Sequence, residues 1–159
     1  MRRVTTVGFG LWAMAPLVLV AGAGCVNIPG SGGCVSTEVE AAAVATGDPT
    51  EPVVLTGRLT ADGEPVEGSE LEFFLFRTDE NGELQNGTTL GEVETDSDGR
   101  AERVFEGGSR DLPAFSTETV ASYRVEYSSD SNVDGVEYCA SSSEQAALDV
   151  PCAGFGCEW

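Results

Sequence analysis

The residues of this 159-residue chain with the most chemistry open to them are five cysteines: Cys25, Cys34, Cys139, Cys152 and Cys157. A thiol can act as a nucleophile, ligate a metal, form a disulfide or carry a lipid. Nucleophilic catalysis asks for a base beside the thiol, and the chain has no histidine and no lysine. A tetrahedral zinc site asks for closely spaced ligands, and there is no CxxC to begin one. Disulfides in an oxidising compartment are the better expectation, and an odd count then leaves one thiol to be used otherwise. We expect that one to be Cys25. The remaining four can join in more than one way, which the sequence itself does not decide. Pairing Cys34 with Cys139 and Cys152 with Cys157 is favoured, because "CAGFGC" is a short glycine-containing loop and Cys34 must be fastened to something if the N-terminal arm is ordered. A pair of carboxylates could still work as in glycoside hydrolysis, but 27 acids scattered over turns make any pairing unremarkable. No catalytic residue is expected.

Two acidic turns are the other chemical candidates. "DSNVDG" sets Asp130, Asn132 and Asp134 at alternate positions before Gly135, the first half of a calcium loop of EF-hand type. "ETDSDG" does the same with Glu94, Asp96 and Asp98. Both lack the second half: a bidentate glutamate should stand at the twelfth position, where Ser141 and Phe105 occur. Each therefore reads first as a turn between strands, built from residues that accept turn geometry, with weak calcium binding as the alternative. No other cofactor is expected.

Upstream of Cys25 the chain has the parts of an export signal. Arg2 and Arg3 open it, an uncharged stretch follows from Val4 to Gly24, and small residues close it. A retained membrane span is the alternative, but Pro16, glycines and threonines dilute the apolar run. Ala23, Gly24 and Cys25 resemble the lipobox of bacterial and archaeal lipoproteins, in which the chain is cut before the cysteine and the thiol carries diacylglycerol. Gly22 stands where that motif usually has leucine, and Ala21-Gly22-Ala23 also reads as a site for the ordinary signal peptidase. The twin arginines lack the continuation of a twin-arginine signal. The resemblance implies membrane attachment through lipid on Cys25 at the extracytoplasmic face, with plain secretion as the alternative.

Cleavage before Cys25 removes two of the eight basic residues and none of the acids, leaving six arginines against 27 carboxylates, a formal charge of −21. Such a surface repels phosphate backbones and anionic headgroups. Nucleic acid is excluded as a partner. An envelope protein or polymer is the partner class left. Salt adaptation and a GC-rich genome both produce acidity without lysine, so the host stays open.

The segments that must position these residues are strands. Residues 25–52 begin with "CVNIPGSGG" and read as a flexible tether, although "STEVEAAAVA" within it suits either a helix or an edge strand. From Val53 to residue 151, short apolar runs are split by turn residues at sandwich spacing. They are "VVLTGRLT", "ELEFFLFR", "TTLGEVET", "RAERVF", "VASYRVEY", "VEYCASS" and "AALDV". "VASYRVEY" alternates most cleanly, with Ala121, Tyr123, Val125 and Tyr127 on one side. "ELEFFLFR" is apolar on both faces, so Phe73, Phe74, Phe76, Tyr123 and Tyr127 are read first as core, with an exposed binding strip formed by some of them as the alternative. The expected fold is an all-β, immunoglobulin-like antiparallel sandwich of about seven strands, followed by a cysteine-containing tail at 152–159.

"LTGRLTADGEPVEGSELEFFL" followed by "TDSDGRAERVF" resembles the bacterial immunoglobulin-like domains of the invasin and intimin type. Transthyretin-like and carboxypeptidase-regulatory-like domains share much of that pattern. The resemblance covers residues 53–127 and rests on Pro65-Val66 and on Thr95 to Ala101 occurring in order. It implies a surface module that binds or spaces and carries no catalytic residues; a carrier or sensor domain that binds calcium or a small ligand at the loops is the alternative. The chain departs from the pattern in having one copy and cysteines at both ends.

Overall fold

A computed structural model of the chain describes residues 33–78, 83–85, 87–113, 119–129 and 135–151. The export signal, Cys25, Cys152, Cys157 and the Asp130–Asp134 turn lie outside these residues. Among the described residues there is no α-helix, and no helix is long and apolar enough to cross a membrane.

Two sheets face each other. The first is centred on β3 (Val53–Ala61), which has β1 (Thr37–Ala41) on one edge and β7 (Arg100–Phe105) on the other. The two-residue β4 (Glu64–Pro65) extends the β7 side through an Asp62-Gly63 hairpin turn. Both turn residues have positive φ, 51° and 85°, which is what a two-residue turn matched to strand twist requires. The second sheet runs β2 (Val44–Ala45), β10 (Ala146–Asp149), β8 (Thr119–Tyr127), β5 (Glu70–Thr78) and β6 (Thr88–Glu94). The short β9 (Ser141–Ser142) lies beside β8, in line with β10. All pairings are antiparallel except β2 with β10. A 3₁₀ turn, Gly108–Arg110, lies between β7 and β8.

This is an immunoglobulin-like sandwich, its first strand crossing from one sheet to the other between β1 and β2 and its last broken into β9 and β10. β1, β2 and the β4 flap, which are not among the seven expected strands, bring the strands of the described residues to ten.

Alternation places every second side chain of β3 and β5, and of β8 from Tyr123 onward, in the core. Val53, Leu55, Leu59, Leu71, Phe73, Leu75, Tyr123 and Val125 are all fully buried. Phe73 and Tyr123 stack with ring centroids 6.5 Å apart. Gly57 sits on the inner face of β3, where a Cβ would come within 2.8 Å of Val125 Cγ1 in the opposite sheet. The missing side chain lets the sheets approach.

Three expectations need correcting. The tether does not extend to residue 52. "TEVEA" forms β1, paired with β3 from Thr37↔Ala61 to Ala41↔Gly57, and the sandwich begins there. Pro49 is also engaged, its carbonyl accepting from Ser109 N at 3.0 Å. "VEYCASS" does not form one continuous strand: it holds the two-residue β9 and isolated bridging, including the parallel bridge Val35↔Tyr138. Finally, Phe74 and Phe76 are not core residues. They occupy the outward positions of β5 and are half-buried.

Candidate binding face

Cys34 and Cys139 form a disulfide with Cα atoms 4.9 Å apart. Around it, Val35 N donates to Glu137 O and Cys139 N to Val35 O, both at 2.8 Å. Thr37 Oγ1 donates to Cys139 O at 2.6 Å and lies 2.6 Å from Ser141 Oγ. The start of the first sheet is thereby tied to the turn that feeds β9 in the second.

The turn containing Asp96 and Asp98 is a structural corner. Asp96 Oδ1 accepts from Asp98 N and Arg100 N, each at 2.9 Å. Gly99 N donates to Asp96 O at 2.9 Å, and Leu59 N donates to Gly99 O at 2.8 Å. Gly99 has φ 71°, and a Cβ there would lie 2.4 Å from Leu59 O. Just before it, the buried Thr95 hydroxyl donates to Val66 O at 2.7 Å and accepts from Ser69 N at 3.0 Å. The Pro65-Val66 and Thr95–Ala101 elements, 29 residues apart at Val66 and Thr95, thus pack on each other. Glu94 points away on β6, opposite Glu70. Glu94, Asp96 and Asp98 are not gathered into a metal site: among the described residues, no three His, Cys, Asp or Glu side chains are.

Tyr123 joins the sheets from within. Its hydroxyl lies 2.5 Å from Ala42 O and 3.0 Å from Thr56 O, and accepts from Thr56 N at 3.3 Å. Ala42 follows the last residue of β1, where the chain leaves the first sheet and uncovers the edge of β3. The phenol fills that gap. Burial pushes its pKa above the ordinary 10.0, with the Thr56 and Ala42 contacts and the Arg100 charge opposing. A raised value in the folded state means stability that is complete below the ordinary tyrosine range and lost as pH climbs through the folded value. The chain has no lysine to titrate in that window. Tyr123→Phe is expected to cost about 1–2 kcal/mol at neutral pH by orphaning the Thr56 and Ala42 groups. It should also flatten the fall in melting temperature between about pH 8 and pH 11.

The surface that the fold leaves for contact is the outward side of β5, β6 and β8. Glu70 and Glu72 share a face with Phe74 and Phe76, because residues two apart on a strand point the same way. Cross-strand register adds Glu94 opposite Glu70, a row of Glu92, Glu72 and Glu126, and Arg124 opposite Phe74. The Arg124 guanidinium lies 5.9 Å from the Phe74 ring centroid and 5.3 Å from that of Phe76, and pairs with Glu126. Thr89 Oγ1 donates to Glu72 Oε1 at 2.7 Å. Directly opposed like charges destabilise a sheet, so the glutamate row opposes folding. Its hollow measures ≈ 370 Å³ and is completed by Ser141 and Ser142. A second hollow of ≈ 430 Å³ adjoins it, between Phe74, Phe76, Leu84, Gln85, Arg124 and Gln145. Gly87 passes so close over Phe76 that a Cβ would meet its Cζ at 2.9 Å. Leu84 is 54% exposed.

An exposed strip including Phe74 and Phe76 is the alternative left open by the sequence, but the glutamates beside them, Glu70, Glu72, Glu92 and Glu126, are not among its candidates. The signal was the shared parity of Glu70, Glu72, Phe74 and Phe76. No protein-family model and no curated protein matches the chain.

Proposed function

We propose that the chain is an exported protein, held to the extracytoplasmic side of a membrane by lipid on Cys25, that acts as a non-catalytic immunoglobulin-like module for binding or spacing in the cell envelope. The observation that carries this reading is the Cys34–Cys139 disulfide. It suits an oxidising exterior, uses two of the five cysteines and leaves Cys25 on an arm of eight residues before Cys34. The packing of Pro65-Val66 against Thr95–Ala101 supports kinship with the bacterial immunoglobulin-like domains. The lack of histidine and lysine supports a role without chemistry.

The test is the intact mass of protein extracted from membranes of its native host. A chain beginning at Cys25 with a diacylglycerol increment is expected. A soluble chain beginning at Gly24 or earlier, without lipid, would replace anchoring by secretion.

A further inference from the structure

We propose that the outer face of β5, β6 and β8 docks an extended basic polypeptide segment that carries one apolar anchor. The inference rests on the reading of the chain as a binding module and names the chemistry of its partner.

The two outer faces of the sandwich differ in how their charges are matched. On the first sheet, Glu38, Glu40 and Glu102 share the surface with Arg58 and Arg100; Glu40 lies opposite Arg58, and Arg100 pairs with Glu102 at 2.8 Å. On the second sheet, among the described residues, five glutamates meet one arginine, and three of the five stand side by side across adjacent strands. General acidity of the surface does not account for that difference. Pairing two such faces of this chain would oppose glutamate rows, and anionic lipid or nucleic acid would be repelled in the same way. Complementary charge therefore comes from a cationic partner. The apolar anchor sits on Phe74, Phe76 and the exposed Leu84, in a hollow beside the glutamate row whose other lining residues include the polar Gln85, Arg124 and Gln145. At the rise of an extended strand, Glu70 to Phe76 spans about 20 Å, the length of some six extended residues. The fitting segment has arginine or lysine at alternate positions and an aliphatic or aromatic residue at one end.

The test uses the full chain and a fluorescent eight-residue peptide with arginine at positions 1 and 3, leucine at 7 and serine elsewhere. Binding is followed by anisotropy at low ionic strength. The expected result is saturable binding that weakens about tenfold in Glu72→Gln/Glu92→Gln and less than about twofold in Glu38→Gln/Glu102→Gln on the opposite face. Replacing the peptide's leucine by serine should weaken it several-fold. Glu72→Gln/Glu92→Gln should also melt no lower than the parent at low salt, because it relieves the opposed charges. Equal losses from the two faces, indifference to the leucine, or no binding at millimolar peptide would overturn the proposal. None of these outcomes touches lipid attachment at Cys25, which the intact mass decides separately.

Discussion

Removing the Cys34–Cys139 bridge, by reduction or as Cys34→Ser/Cys139→Ser, is expected to lower stability by about 3–5 kcal/mol, the most of any change considered. The bond closes a loop of 105 residues in sequence, and constraint of the unfolded chain grows with loop length. A domain of this size holds roughly 5–15 kcal/mol in all. The loss therefore takes a large share of the total, and a substantial unfolded fraction should appear at physiological temperature. Denaturant unfolding with and without reductant checks this. The midpoint should fall sharply, and the hydrogen bonds of Val35 and Thr37 with residues 137–141 should weaken together with the bond that holds them in register. A midpoint that moves by a few tenths of a kcal/mol equivalent would show that β1 pairing alone holds the arm.

Thr95→Val should cost about 2–4 kcal/mol, more than its place in a turn between strands would suggest. Valine keeps the shape and removes the hydroxyl that serves Val66 O and Ser69 N, both inside the protein. Each buried group left without a partner carries its own desolvation cost. Thr95→Ser keeps the oxygen and should recover most of the loss. Equilibrium denaturation at constant m-value is the measurement. If valine and serine behave alike, the hydroxyl is not what joins the two turns.

These effects mark where the sequence could be read and where it could not. The inner faces of β3 and β8 were legible because Val53, Leu55, Leu59 and Tyr123, Val125, Tyr127 recur at the period of a strand. The corner at Asp96–Gly99 was legible as a turn, since Asp and Gly have local reasons to be there. Its real partners, Val66 and Leu59, lie too far along the chain for any local signal. β1 was ambiguous: "STEVEAAAVA" has helical composition, and only pairing with β3 makes it a strand. The run Phe73–Phe76 concealed its outward residues because four consecutive apolar side chains hide parity. The glutamates at 70 and 72 mark the outward set, and Phe74 and Phe76 follow from them. The pairing of Cys34 with Cys139, favoured from the sequence, is the one the fold makes, with residues 35 and 138 side by side.

Cleavage after glutamate offers the most direct test of the central claim, a disulfide-closed sandwich held outside the cytoplasm. Unreduced digestion of membrane-extracted protein isolates residues 25–38, which hold Cys25 and Cys34, and residues 138–144, which hold Cys139 alone. The account requires these two peptides to appear as one linked species carrying diacylglycerol. Recovery of the two peptides separately, with free thiols at Cys34 and Cys139, would contradict it.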